Sequence, residues 1–193
     1  MRLFLAVWLS EELQEITGDW LKKITAGSSR IKWVPPGQLH FTLKFLGEQD
    51  SAFVTDFFPY LSEVAATTPP FALTLAGGGI FPSQRRPRVL WLGVDEGRSE
   101  LTALAGRIEA AWEKVCGRAQ KLPSEKKSFQ PHLTIGRAKS EAPFFNRRLL
   151  ETGVEGRMIV KGFSLVQSRL TFQGPLYRDL KKYFFPSSFL QQS

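Results

Sequence analysis

Among 193 residues the sequence holds one cysteine, two histidines and two methionines. The lone thiol, Cys116, excludes an internal disulfide, and its helix-like surroundings carry no catalytic signature, so it reads as structural. No apolar run approaches the ~20 residues of a membrane-spanning helix. The apolar opening, Met1 to Leu9, is short, meets Ser10-Glu11-Glu12 at once and lacks a small-residue cleavage site. It reads as a first strand and not a signal peptide, and the expectation is a cytoplasmic protein without membrane contact. A Gly-x-Ser-x-Gly elbow is missing, which argues against serine-hydrolase chemistry. A Walker sequence is missing too, so ATP use has no support. Two histidines without a carboxylate cluster or a cysteine set are too few for a catalytic zinc site. Neither metal nor cofactor is expected.

What is present points elsewhere. Hydrophobic residues make up 42% and charged residues 23%, with 16 Phe and 5 Trp, which suits a globular chain with a sizeable core. The formal net charge of +8 favours an anionic partner such as nucleic acid. Both histidines sit in the same pattern: His40-Phe41-Thr42-Leu43 and His132-Leu133-Thr134-Ile135. Strand side chains alternate between faces, so His and Thr share one face of each strand and the apolar pair shares the other. One histidine on a strand is usually structural. Two in matched settings, with no third to compete, point to general acid–base work near neutral pH.

Arg2 to Leu9 reads as a buried strand, then Ser10 caps a helix whose stripe is Leu13, Ile16, Trp20, Leu21 and Ile24. Ile31 to Val34 is a short extended piece, Pro35-Pro36-Gly37 turns the chain, and Gln38 to Leu46 is the first motif strand. Asp50 or Ser51 caps a second helix to about Ala66, which Pro59 is expected to kink or split. Phe71 to Leu75 is a strand, Gly77-Gly78-Gly79 marks a bulge or a close backbone approach, and Phe81 to Arg88 reads as a basic loop before a strand at Val89 to Val94. Leu101, Leu104, Ala105, Ile108, Ala111, Trp112 and Val115 mark an amphipathic helix. Lys121 to Lys127 reads as a basic loop, and Phe129 to Arg137 carries the second motif. A short helix over Pro143 to Leu150, one or two strands over Met158 to Phe172 and a last strand over Tyr177 to Phe185 complete the order. The expected architecture is α+β: a single two-lobed domain over 1–193, with two antiparallel or mixed sheets, helices outside, the two motif strands lining a central cleft, and 186–193 as a frayed tail.

Two histidines, one neutral and one protonated, suit the opening of a cyclic phosphodiester. One takes a proton from the attacking water and the other gives a proton to the departing oxygen. Spacing alone leaves open which does which. Thr42 and Thr134 offer hydroxyls to the phosphate oxygens. Arg137, five residues beyond His132, can grip phosphate through its guanidinium. By alternation Lys44 shares a face with His40 and Thr42, and it is expected as a phosphate or RNA contact.

Leu39-His40-Phe41-Thr42-Leu43-Lys44-Phe45-Leu46-Gly47 and Phe129-Gln130-Pro131-His132-Leu133-Thr134-Ile135-Gly136-Arg137 resemble the paired signatures of the two-histidine phosphoesterase superfamily, and more narrowly those of the RNA 2′,3′-cyclic phosphodiesterases, also called 2′-5′ RNA ligases. Arg2 to Ala6, Trp33-Val34, Gly79-Ile80-Phe81-Pro82 with Arg88 to Trp91, and Phe163 to Leu165 with Ser168 and Gly174 to Tyr177 extend the resemblance along nearly the whole chain. It departs at Gly136, where the family more often has Ala. The resemblance implies a bilobal α+β fold and hydrolysis of RNA 2′,3′-cyclic phosphate ends to 2′-phosphomonoesters. It also implies ATP-independent joining of such ends to a 5′-hydroxyl. The expected partner is RNA with 2′,3′-cyclic phosphate ends, tRNA fragments among them, and a monomer is expected because nothing in the sequence suggests an obligate oligomer. The resemblance makes His40 the proton donor, His132 the proton acceptor, and Thr42, Thr134 and Arg137 phosphate contacts.

Two other readings stay open. A small cyclic nucleotide is an alternative substrate, against which the net charge weighs modestly. A non-catalytic module that recognises RNA ends is the other, against which the two intact His-Thr pairs weigh. Phe4, Phe45 and Phe81 are candidates for stacking a terminal base, although rings in strands usually belong to the core.

Overall fold

The computed structural model describes residues 1–118, 129–139, 143–172 and 174–187. The expected basic loop at 121–127 and all but the first two residues of the expected tail lie outside them. Nine strands and four helices are present: β1 Arg2–Trp8, α1 Glu11–Thr25, β2 Ile31–Trp33, β3 His40–Glu48, α2 Ser51–Ala66, β4 Phe71–Ser83, β5 Arg86–Val94, α3 Arg98–Arg118, β6 Leu133–Ala138, α4 Arg147–Thr152, β7 Arg157–Val160, β8 Gly162–Thr171 and β9 Gly174–Phe184. The fold is α+β, and every strand pairing is antiparallel.

The two sheets expected from the sequence are halves of one nine-stranded sheet. Its order is β7-β4-β5-β6-β3-β1-β8-β9, with β2 also on β6. The halves meet where β3 touches β6, through the single register pair Phe41 and Leu133. Apart from β2, which stands between α1 and β3, each half contains the same run of strand, helix, motif strand and helix: β1-α1-β3-α2 in one, β5-α3-β6-α4 in the other.

Alternation decides which face each half buries. Leu3, Leu5 and Val7 of β1 and Phe41, Leu43 and Leu46 of β3 join one core with the apolar stripes of all four helices. Phe4 and Ala6 point the other way and form a small second cluster with Val166, Trp8 and Tyr177. The helices thus cover one face of the sheet and leave the motif face open. Local signals seat the helices as read: the Ser10 hydroxyl accepts from the Leu13 N–H at 3.3 Å, and the Asp50 carboxylate accepts from the Phe53 N–H at 2.7 Å.

Two expectations need correction. Pro59 does not split α2, which runs unbroken from Ser51 to Ala66. The ring lies on the exposed side, where water can satisfy the carbonyl that loses its partner. The stretch Phe81 to Arg88 is not a loop, because β4 and β5 extend through it and turn only at Gln84-Arg85. The triple glycine serves both uses read from it. Gly77 is the bulge between the pairs Ala76–Gly93 and Gly78–Leu92. Side chains there would collide with the α4 backbone at Glu151, with Leu150, and, at Gly79, with the Trp91 ring 2.6 Å from the Cβ position.

Candidate active site

The single pair Phe41–Leu133 aligns the motifs. Continuing that antiparallel register sets His40 opposite Thr134 and Thr42 opposite His132. The two motifs therefore meet head to tail across the joint, on the face the helices leave open.

Both histidines are held alike. His40 Nδ1 lies 2.7 Å from the Gln38 carbonyl oxygen, and His132 Nδ1 lies 2.7 Å from the Gln130 carbonyl oxygen. A carbonyl only accepts, so each Nδ1 carries the hydrogen and donates it, which leaves each Nε2 for chemistry. Each imidazole also meets an aromatic ring edge-on. Tyr177 of β9 stands 5.4 Å from His40 at 84°, and Phe81 of β4 stands 5.3 Å from His132 at 89°. The sequence repeats Gln two residues before each histidine. The backbone carbonyl makes the bond, however, so the repeat marks the place without being required by it.

The surroundings of the two rings differ. His40 is caged by Phe4 and Trp8, each with ring centroids 5.0 Å away, as well as by Tyr177. The Trp8 indole donates to Asp179 at 3.0 Å, which ties β1 to β9 across β8. Burial in this cage lowers the His40 pKa from its ordinary value; the Gln38 carbonyl opposes that shift, and the charge of Arg137 adds to it. Beside His132 lies a cavity of about 480 Å³ walled by Phe81, Trp91, Phe129 and Pro131, with Arg98 at its edge.

A bulge in each motif strand decides which later residues face the cleft. On β3, Thr42 pairs with Ala6 and Lys44 with Leu5, so Leu43 has no opposite residue. Directly paired residues share a face. Lys44 therefore shares the core face with Leu5, and Phe45 shares the cleft face with Phe4. On β6, Thr134 pairs with Trp91 and Gly136 with Leu90, so Ile135 is the extra residue, and Arg137 falls beside Val89 on the cleft side. Phe45 and Arg137, each five residues past its histidine, are thus the corresponding positions of the two halves. The charge of Arg137 acts on both His40 and Tyr177 and favours the deprotonated form of each.

Lys44 is accordingly corrected. The expectation that it shares the His40–Thr42 face assumed unbroken alternation. Its ammonium instead pairs with Glu109 of α3 at 2.5 Å and lies 5.2 Å from the centroid of the Trp112 ring, with only 8% of its side chain exposed. Of the three rings considered for base stacking, Phe4 is buried at 3% exposure, Phe81 is occupied by Trp91 and His132, and Phe45 is 68% exposed. No sequence signal marks Tyr177 or Trp8 as a site residue. Two strands, β1 and β8, separate β9 from β3, and no local pattern reports that approach. Gly136 has a clear reason: a Cβ there would lie 3.0 Å from both Ile31 and Trp33 of β2. Among the described residues, no three His, Cys, Asp or Glu side chains converge as a metal site.

Comparison with known proteins agrees with this fold. The chain is 39% identical over 183 residues to an RNA 2′,3′-cyclic phosphodiesterase of Archaeoglobus fulgidus, covering 94% of this chain and 98% of that one. A crystal structure of a Thermus thermophilus protein matches with a TM-score of 0.81 and 33% identity, covering 96% of this chain and 98% of that chain. The crystal structure of E. coli LigT in apo form matches with a TM-score of 0.74 and 26% identity over 95% of this chain and 96% of that chain. The model of the 2′-5′ RNA ligase superfamily matches residues 8–169, and the chain belongs to that family.

Proposed function

We propose that this protein hydrolyses RNA 2′,3′-cyclic phosphodiester ends to 2′-phosphomonoesters, using its two histidines as general acid and base without a metal. The observation that carries this is the pair of imidazoles on adjoining strands, each held through Nδ1–H on a carbonyl, which leaves both Nε2 atoms for the reaction. His132 Nε2 takes the proton from water as its oxygen attacks phosphorus. The bond from phosphorus to the 3′-oxygen breaks, and His40 Nε2–H protonates that oxygen. Thr42 and Thr134 hold non-bridging oxygens, and Arg137 balances the charge gathering on them. A 5′-hydroxyl in the place of water gives a 2′-5′ linkage by the same transfers, so joining needs no ATP. The substrate is an RNA end, tRNA fragments included, and the protein works as a single two-lobed monomeric unit in the cytoplasm.

One observation favours a second assignment of roles. Burial and Arg137 hold His40 toward its neutral form, which suits a base. A bound phosphodiester carries negative charge beside Arg137, offsets that repulsion and restores the imidazolium needed for an acid. The two assignments separate on a p-nitrophenyl phosphodiester, whose phenolate departs without a proton. If His40 is the acid, His40→Ala keeps most of its activity on that ester while His132→Ala does not; the reverse pattern exchanges the roles.

Turnover in EDTA tests the reaction itself. An oligoribonucleotide ending in a 2′,3′-cyclic phosphate should yield a 2′-phosphate with the wild type. His40→Ala and His132→Ala should each be slower by ~10² or more. Binding without turnover would overturn the proposal in favour of an end-recognition module, and turnover confined to mononucleotides would favour a small cyclic nucleotide.

A further inference from the structure

Two hairpin tips border Arg137. In one half, β4 and β5 continue past the level of Arg137, which pairs with Val89, and turn at Gln84-Arg85. From the other half the β8–β9 hairpin curls over the cleft. Tyr177 reaches His40, and three residues nearer the turn Gly174 comes against Lys32, whose ammonium would lie 2.9 Å from a Cβ placed there. Lys32 is the register partner of Arg137 on β2.

The make-up of these tips serves nothing in the reaction derived above. Arg85, Arg86 and Arg88 are exposed, and the stretches 81–94 and 169–178 contain no carboxylate. On the β8–β9 tip Leu170, which shares a face with Tyr177, is 70% exposed and Phe172 fully so, while Leu176 points to the opposite face with Arg169. A scattered exposed apolar side chain is ordinary, but Leu170 and Phe172 adjoin at one tip, and an exposed apolar pair there beside the basic β4–β5 tip marks an interaction surface. Among the described residues no side chain forms an ion pair with Arg85, Arg86, Arg88 or Arg169.

We infer that the β4–β5 and β8–β9 tips form a two-armed grip for single-stranded RNA, holding the nucleotides that precede the terminal one. Arginines from β4–β5 meet backbone phosphates, and Phe172, with Leu170 beside it, offers a platform for a base. Cations interleaved with rings, free of carboxylates, fit a strand that carries one charge and one π-face per nucleotide. The inference rests on the reading of the cleft as an RNA-end site. It adds that affinity comes from a stretch of chain outside the cleft.

Binding separates the two ideas. Oligoribonucleotides of one to eight nucleotides ending in a 2′-phosphate, which the reaction no longer alters, would be titrated by fluorescence anisotropy. The proteins are the wild type, Phe172→Ala and Arg85→Ala/Arg86→Ala, with turnover of a mononucleotide 2′,3′-cyclic phosphate followed alongside. Wild-type affinity should rise with length and level off. Phe172→Ala should lose ~10-fold or more on the longer oligomers, the scale of one base–aromatic stack. The double arginine variant should flatten the dependence of log Kd on log salt by about 1.4, as two lost phosphate contacts imply for a single strand. Both variants should turn over the mononucleotide as the wild type does. Affinity independent of length, variants that bind every length like the wild type, or equal losses on short and long oligomers would each overturn the grip. Length-dependent binding that the variants abolish, without turnover of any cyclic end, would leave the grip standing and remove the enzymatic reading instead.

Discussion

Replacing Lys44 with Met distinguishes a phosphate contact from an ion pair of the fold. The Lys44 ammonium is 2.5 Å from the Glu109 carboxylate, with side-chain exposures of 8% and 32%. An exposed pair contributes about 0–1 kcal/mol, whereas removing one partner of a buried pair costs about 3–5 kcal/mol, because the other charge is left without compensation. This pair lies between those limits, since Glu109 keeps access to water. Met preserves the unbranched stem that packs on Trp112. The expected loss for Lys44→Met is therefore about 2 kcal/mol, or about 4–8 °C in Tm for a chain of this length. Adding Glu109→Gln removes the stranded charge and should recover most of the loss. The assay is thermal unfolding of the wild type, both single variants and the double variant, with RNA-end turnover measured below the transition. KM for RNA should stay within about twofold of the wild type. An unchanged Tm with a raised KM and a salt dependence weaker by about one phosphate contact would refute the reasoning and return Lys44 to the cleft.

Because the chain holds only two histidines, their ring protons can be followed separately by NMR. Arg137→Gln should raise the His40 titration midpoint, since Arg137 lowers it in the folded protein, and should weaken phosphate-ended ligands; an unmoved midpoint would place the guanidinium elsewhere. The lowered His40 pKa also sets a stability trend. Below about pH 6.5 the unfolded chain takes up a proton at residue 40 more readily than the folded protein does. Stability from this group is therefore complete above that pH and falls as pH drops toward the folded-state value. Urea unfolding at pH 7.5 and 5.5 should show that loss in the wild type and less of it in His40→Gln, and equal losses would count against the cage. Gly79→Ala drives a methyl into the Trp91 ring, which stacks on Phe81 and through it meets His132. It should cost about 1–3 kcal/mol and lower kcat beyond what unfolding explains, and kcat should hold if the ring can simply step aside. Asp50→Ala removes the α2 cap, far from the motifs, and should cost about 1 kcal/mol in denaturant melts at unchanged turnover.

Local signals were legible wherever one short-range interaction decides the outcome. Ser10 and Asp50 cap helices because a side-chain oxygen three residues ahead of a free N–H satisfies it without help from the rest of the fold. His40 and Thr42, and His132 and Thr134, face the open side because period-two alternation holds inside each motif. Lys44 fails the same rule one step later, because the bulge at Leu43 resets the alternation. Phe81 to Arg88 reads as a loop because Pro and Arg carry weak strand preference, while pairing between β4 and β5 supplies what that preference lacks.

By itself the sequence determined the chemistry on offer: two imidazoles, each two residues from a hydroxyl on an otherwise apolar strand, in a basic chain with a single cysteine. Those properties depend on residue type and short spacing, and folding does not change them. Only the tertiary structure decided that β3 and β6 meet at Phe41 and Leu133, that Tyr177 arrives at His40 from two strands away, and that paired bulges turn Arg137 into the cleft and Lys44 out of it. Register and long-range contact are set by the packing of the whole sheet against its helices, and a single extra residue in one strand reverses the facing of every side chain after it.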